Sequence, residues 1–280
     1  MTKRSIEKST AILGVKQTRD ARSPLYLDEL TLQTLLAQQG PSLGLWRAAE
    51  IAALREQHFE PPVLDLGCGD GLVMAMVLPR VELAVEPDQV ALERAMQQGL
   101  YCQSLAYPIE LAPIPAASIS TVVSNSVLEH IPNLDAALEA IERVLKPGGR
   151  LIFTTPTAAF SQWLALPSSH YADWRNRQLC HLNLWSSDRW QAELTRVGLQ
   201  VELIRPYLRR EWVSIWDGLE LLQQIHLGQR RVFGQVWRRL PTSVIQALAA
   251  RLARLDLAAP APGGGQLIVA RKPGGTDGDR

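Results

Sequence analysis

The sequence predicts an α/β fold on a mainly parallel sheet, and three observations carry that expectation. First, residues 63–71 read VLDLGCGDG. Val63, Leu64 and Leu66 suit a short strand buried on both faces. Gly67, Gly69 and Gly71 make a turn in which backbone can approach a ligand without a Cβ in the way. The run LVMAMVL then suits a helix whose N-terminal amides lie beside that turn. Second, an apolar run ends in an acid, Glu86, nineteen residues after Gly67; that spacing places a carboxylate near ribose hydroxyls in a βαβ nucleotide site. Third, short apolar runs and amphipathic helical stretches keep alternating to about residue 205, which is the pattern of a parallel sheet with crossover helices.

Asp65 sharpens the ligand. A dinucleotide fold keeps that strand position apolar and places its third glycine where Leu72 stands. An acid there suits a ligand with a cationic end, and adenosine at one end with a cation at the other describes S-adenosylmethionine (SAM). DLGCGDG, then AVEP, VVSNSVLEHI and VLKPGGRLIFTTP together resemble the class I SAM-dependent methyltransferases, in particular the small-molecule subgroup that includes the ubiquinone-pathway enzymes. The resemblance covers roughly residues 62–156. It implies a Rossmann-like, seven-stranded, mainly parallel sheet with an antiparallel seventh strand, SAM as cofactor and S-adenosylhomocysteine as product.

Composition agrees with a globular chain. In 280 residues, 46% are hydrophobic and 20% charged, with a net charge of +1, which argues against global nucleic-acid binding. Cys68, Cys102 and Cys180 are scattered without metal spacing, as in a reduced cytoplasmic protein. The first 15 residues have too short an apolar run for a signal peptide, and no uninterrupted apolar stretch reaches the length of a membrane span.

The elements follow in order. Residues 1–23 are polar and basic and read as a flexible arm. Residues 24–60 form a helical cap, with helices over 25–39, stopped by Gly40-Pro41, and over 43–58, capped by Ser42. Tyr26, Trp46 and Arg47 are placed to line the cofactor pocket or to pack the helices. The core spans 61–206. After the glycine turn the helix ends near Pro79; strand 2 covers 82–86 and the next helix 89–98. Strand 3 covers 101–104, strand 4 covers 119–124, a helix covers 134–145, strand 5 covers 150–155, a helix covers 187–197 with Ser186 or Ser187 as its cap, and strand 6 covers 199–205. KPGG at 146–149 is a structural turn.

On the resemblance, the cofactor-binding residues are Asp65, Gly67, Cys68, Gly69, Gly71, Glu86, Pro87, Ser104 and Asn125. The family usually has acids near the positions of Ser104 and Ser120; here Ser104 or backbone groups are expected to take the adenine, unless the position has drifted. His130 is the first candidate for a general base, since imidazole titrates near neutral pH; helix packing is its structural alternative. Some ubiquinone-pathway relatives hold a divalent metal through a Glu-His pair and an acid three residues earlier. That earlier position is Ser126 here, so no metal is expected. The substrate side is placed in 156–186, with Glu129, His170, Tyr171 and His181 as substrate-binding candidates. The string HLNLWS at 181–186 resembles uncharacterised and glycan-related members of the family.

The chain then departs from the compact pattern. About 60 residues separate strand 6 from the last strand, expected at 266–270 after a Pro- and Gly-rich loop. This insertion, 207–262, reads as helices over 212–225 and 230–255, broken at Gly228 and Pro241. Nine arginines and three acids lie between Arg205 and Arg254, with Trp212, Trp216 and Trp237 among them. Such a segment fits packing on the sheet, a lid, a homodimer interface through 207–255 or peripheral contact with an anionic membrane face. Residues 263–272 complete the sheet and 273–280 form a disordered tail.

The expected function is methyl transfer from SAM to a small-molecule or lipid-linked acceptor, such as a glycan, most simply at oxygen. A non-catalytic SAM-binding regulator is the alternative. Asp65 and Leu72 speak against a NAD-dependent dehydrogenase. The sequence Ser124-Asn125-Ser126-Val127, where N-methylating DNA enzymes carry a proline-aromatic tetrad, speaks against nucleic acid as the acceptor.

Overall fold

The computed structural model describes residues 23–227 and 230–274. The basic arm, but for Ser23, and residues 275–280 of the tail lie outside the described residues. Seven strands form one sheet: β1 (Val63–Leu66), β2 (Val81–Val85), β3 (Tyr101–Leu105), β4 (Ile119–Asn125), β5 (Leu145–Pro156), β6 (Gln200–Tyr207) and β7 (Gly265–Arg271). Their spatial order is 3-2-1-4-5-7-6. Strands β1 to β5 are parallel, and β7 runs antiparallel between β5 and β6. The seven-stranded, mainly parallel sheet with an antiparallel last strand is therefore present as the sequence predicts. β5 is longer than predicted because KPGG forms an irregularity within it: Ile119 pairs with Leu145, and Thr121 already pairs with Arg150.

Helices cover both faces. On one face, α5 (Leu134–Val144) and α8 (Ser187–Arg196) bury Leu138, Ile141, Trp190 and Leu194 against Leu64, Val122 and Phe153 of the sheet. Ser186 is the cap of α8, its hydroxyl accepting from the Arg189 amide at 3.3 Å. On the other face lie α1 (Glu29–Gln39), α2 (Pro41–Arg55), α3 (Leu72–Ala75) and α4 (Gln89–Gln97). α3 is only four residues long and closes well before Pro79.

One sequence expectation is corrected here. Ser42 is not a cap. α2 begins at Pro41, whose fixed φ suits a first helical position, and Gly40, at φ 80°, turns the chain into it. Ser42 is instead buried within the first turn and donates to Glu220. The insertion is helical in three pieces, one of them beginning after Pro241 as the sequence suggests. It contains α9 (Arg210–Gln223), a pairing of His226–Leu227 with Arg230–Arg231, α10 (Val232–Arg238) and α11 (Thr242–Leu252).

This insertion and the N-terminal helices form one layer. The Leu257 amide donates to the Leu25 carbonyl (2.8 Å) and the Leu25 amide to Asp256 (2.8 Å). Trp237 donates its indole N–H to the Leu36 carbonyl at 2.8 Å. Trp216 is buried, and Trp212 and Trp237 pack against the same core. The tryptophans of the insertion thus serve packing rather than an exposed aromatic belt. No helix among the described residues is long and apolar enough to cross a membrane.

The layer is pinned to segment 156–186 by a buried ion pair. Arg175, on α7 (Ser169–Gln178), donates to Asp217 of α9 at 2.8 Å, and both side chains are buried. Asp217 also accepts from the Tyr171 hydroxyl (2.7 Å) and the Ala165 amide (2.9 Å). A buried charge stripped of its partner is far costlier than an exposed one. Asp217→Ala is therefore expected to destabilise the protein by about 3–5 kcal/mol in urea unfolding. A loss below about 1 kcal/mol, the range of an exposed pair, would contradict this account of the insertion.

Candidate active site

The carboxyl ends of β1, β2 and β4 open into a cavity of about 760 Å³, within the range of roughly 300–1,000 Å³ typical of small-molecule sites. Asp65, Gly67, Cys68, Gly69, Glu86, Pro87 and Asn125 are among the residues that line it. Gly67 has φ 71°, and a Cβ there would meet the Val127 methyl groups at 2.4 Å, so the turn admits only glycine. Gly71 stands behind the wall as the left-handed cap of α3 and does not face the cavity. Ser104 lies on β3 outside the lining; Arg94 and residues 107–110 border the cavity on that side instead.

Two acids are already positioned. Glu86 accepts from the Gly69 amide and from the Asp88 amide, both at 3.0 Å. These bonds hold its carboxylate at the rim between the glycine turn and α4. Asp65 is buried and accepts from the Tyr101 hydroxyl at 2.6 Å. Burial pushes its carboxyl up to about 7, against the lowering effect of the Tyr101 hydrogen bond, and the nearby Glu86 adds to the rise. An ammonium or sulfonium beside Asp65 reverses that balance by favouring the ionised form.

A second cavity of about 180 Å³ adjoins the first, and Leu43, Arg47, Ser126 and His130 line both. Trp46 from α2, Phe160 from α6 (Ala158–Gln162) and Trp216 from α9 form its aromatic wall. Their ring centroids are 5.3–5.5 Å apart. Glu129, His130 and His181 make its polar end. The last two come from distant segments, and Asn183 of the HLNLWS string joins them. Its side chain donates to the Leu128 and Ile131 carbonyls, both at 2.9 Å, while the Leu182 and Asn183 amides donate to the Glu129 carbonyl. His130 and His181 consequently lie side by side, with ring centroids 5.4 Å apart.

The electrostatics of this end follow from burial. Glu129 is 1% exposed. Burial, reinforced by Glu50, pushes its carboxyl up to about 8. His181 is pulled down to about 3 by burial and then by His130, so its ring is neutral near pH 7. His130 Nδ1 lies 3.0 Å from the Cys180 carbonyl. A carbonyl only accepts, so Nδ1 carries the proton, and in the neutral ring Nε2 holds the lone pair. His170 is exposed on α7 and lines neither cavity, and the Tyr171 hydroxyl is engaged by Asp217.

Sequence reasoning missed the residue that links the two cavities. Glu50, on α2, is 0% exposed. It accepts from the Trp46 indole (2.9 Å), Arg47 (2.7 Å), Asn125 (3.0 Å) and the Ser126 hydroxyl. A signal was present: this acid sits inside the small-residue run AAEIAA, where every neighbour is buried.

A mainly parallel sheet of order 3-2-1-4-5-7-6 with its last strand antiparallel, a glycine turn after β1 and an acid after β2 defines a SAM-type nucleotide-binding methyltransferase architecture. A family model described as a methyltransferase domain matches residues 31–204, and the chain belongs to this SAM-dependent methyltransferase family. The ubiquinone biosynthesis O-methyltransferase of Idiomarina loihiensis is 33% identical over 125 residues, 41% of this chain and 51% of that protein; the match thus spans about half the length of this curated relative. Among solved structures, the [4+2]-cyclase SpnF superposes with a TM-score of 0.56 at 18% identity, covering 91% of this chain and 89% of that one. The SAM complex of Haemonchus contortus phosphoethanolamine N-methyltransferase 2 gives a TM-score of 0.53 at 16% identity, covering 86% and 60%. Both likenesses concern the fold.

The residues of the larger cavity fit SAM. A pre-bonded carboxylate, Glu86, suits ribose hydroxyls, and a buried acid, Asp65, suits a cation. For Asp65, a folded-state pKa raised from 3.8 to about 7 means that its favourable neutral form counts fully below about pH 4. That contribution is lost as pH rises through about 7. In the ligand-free protein Asp65→Asn is expected to add roughly 2–4 kcal/mol at pH 8, the scale set by about 1.4 kcal/mol per pKa unit. The gain should fade toward pH 4. Denaturant unfolding at the two pH values checks it, and an equal effect at both would contradict the assignment.

Proposed function

We propose that this chain moves a methyl group from SAM, bound in the larger cavity, to a hydroxyl of a small-molecule or lipid-linked acceptor in the smaller one. The observation that carries the reading is the shared boundary of Leu43, Arg47, Ser126 and His130 between the two cavities. That boundary lets a nucleophile and a methyl donor meet with little water between them. When bound, SAM supplies an electrophilic methyl on a sulfonium and leaves as S-adenosylhomocysteine.

The chain's own residues do the rest. Glu86 takes the ribose hydroxyls, with Pro87 starting the next turn beside it. Asp65 faces the cationic methionine end, and the turn of Gly67, Cys68 and Gly69 presents its backbone to that end. Trp46, Phe160 and Trp216 exclude water and stack a ring of the acceptor. His130, with Nε2 free, takes the hydroxyl proton as the new carbon–oxygen bond forms. Transfer to oxygen rather than nitrogen is supported by this base and by the O-methyltransferase relative.

The test is turnover with methyl-labelled SAM across ring-bearing and aliphatic hydroxyl acceptors. His130→Ala is expected to lower kcat by about 10²–10⁴-fold while leaving SAM affinity within about threefold, because Asp65 and Glu86, which take the two ends of the cofactor, are untouched. Full turnover in His130→Ala with saturated cofactor would remove it from the mechanism.

A further inference from the structure

On the SAM reading of the larger cavity, on which this rests, we propose that Tyr101 positions Asp65 for the ammonium of the cofactor's methionine end, and that docking this end expels a proton from the Asp65 carboxyl. Tyr101 opens β3 and Asp65 lies in β1, with β2 between them. The hydroxyl nevertheless reaches Asp65 Oδ2 at 2.6 Å. Among the described residues it is the one hydrogen-bond donor to this carboxyl group, which is 2% exposed and lines the cavity. A buried carboxylate with a single donor is short of partners. An ammonium at Oδ1 supplies what is missing.

The ring is held for this task. A Cβ on Gly71 would meet Tyr101 Cε2 at 2.9 Å and Ala95 Cα at 3.2 Å. Gly71 does not face the cavity; it leaves the space that the Tyr101 ring and α4 fill. Burial, and then the adjoining Asp65 carboxylate, push the Tyr101 hydroxyl well above its ordinary value. It therefore keeps its proton and donates.

The groups around Asp65 set the proton balance. Glu86 acts on it from the end of β2 and Cys68 from the glycine turn, while Asp70 acts on Cys68 and Tyr101. Arg47 and Arg94 line the same cavity without bonding Asp65. Burial raises the carboxyl to about 7, and the Tyr101 hydrogen bond is what restrains the rise. The ligand-free site near neutral pH is thus a mixture of neutral and ionised Asp65. An ammonium selects the carboxylate: the carboxyl O–H breaks, its proton passes to water, and the oxygen keeps the electron pair. Below about pH 7 that step lowers affinity; above it the carboxylate is already formed. Without the Tyr101 hydroxyl the same loss extends to higher pH.

The experiment titrates the full chain by calorimetry with two ligands. S-adenosylhomocysteine carries the ammonium, and 5′-methylthioadenosine lacks the amino-acid part. Each titration is run at pH 6, 7 and 8 in two buffers of different ionisation enthalpy, which counts protons. For the wild type, S-adenosylhomocysteine is expected to release about 0.9 proton at pH 6 and about 0.1 at pH 8, and to bind about tenfold tighter at pH 8. Tyr101→Phe, which keeps the ring, should weaken it about tenfold at pH 7, the scale of a hydrogen bond to a charged group, and raise proton release there from about half to nearly one. Asp65→Asn should remove the pH dependence. The affinity for 5′-methylthioadenosine should change less than about threefold throughout, because it brings no charge to Asp65. Equal losses for both ligands in Tyr101→Phe mean that the residue only packs, and overturn the proposal. So does unchanged S-adenosylhomocysteine binding in that variant, or a pH dependence that survives Asp65→Asn. A wild type that binds both ligands without proton release at pH 6 overturns this proposal alone, whereas one that binds neither overturns the SAM reading and this proposal with it. Should Tyr101→Phe fail to fold, the Cζ chemical shift of ring-labelled Tyr101 in the wild type decides: it must follow the titration of Asp65, and a flat shift overturns the proposal.

Discussion

A carboxylate withdrawn from water must be hydrogen-bonded at nearly every lone pair, and Glu50 meets that demand by reaching across the molecule. Its donors are Trp46 and Arg47 on its own helix and Asn125 and Ser126 at the end of β4. Satisfying one buried acid therefore fixes the position of α2 against the sheet. The same contact sets both cavities, since Asn125 faces the larger, Trp46 the smaller, and Arg47 and Ser126 both. Ser126 holds a left-handed backbone, φ 51°, and its amide donates to the Thr154 carbonyl and hydroxyl. Strain at a non-glycine residue persists only where surroundings over-determine it, and here they do so at the boundary between the two cavities.

The helical insertion completes what Glu50 begins. An α/β sheet with its helices provides the cofactor end without help, but the smaller cavity needs a third wall. α9 supplies it through Trp216, and Asp217, the next residue, locks that helix to α7 by the buried pair with Arg175. Such a pair contributes less to net stability than to fixing one arrangement. Helical packing thus places an aromatic wall in one cavity with Glu129, His130 and His181, and the smaller cavity is built from elements remote in sequence.

The legible parts of the chain were those where chemistry is local. The VLDLGCGDG turn, Glu86 at its spacing, the seven strands and the cap at Ser186 follow from short-range patterns that tertiary packing leaves in place. Ser42 was misread because a serine after Gly40-Pro41 resembles a cap, while Pro41 itself prefers the first helical position. Ser104 follows from family position alone, and residues 107–110 of the loop after β3, rather than Ser104, are among those lining the cavity. Glu50 and the pairing of His130 with His181 were hidden for a different reason. Asn125 and Ser126, which bond Glu50, and His181, which stacks on His130, lie far off along the chain from those residues, and hydrophobic periodicity carries no information about such contacts. Asn183 shows how a short string can be noticed without its purpose being readable: its amide clamps two carbonyls more than fifty residues earlier.

The central claim is that the cavity over Asp65 and Glu86 is a SAM site. Calorimetric titration of the wild type and of Glu86→Ala with S-adenosylhomocysteine tests it most directly. The account predicts one site in the wild type and at least a tenfold loss in a folded Glu86→Ala, since a ribose-binding carboxylate accepts charge-assisted hydrogen bonds worth about 1.5–3 kcal/mol. A folded wild type that takes no S-adenosylhomocysteine, or a Glu86→Ala variant that binds it equally well, would contradict it.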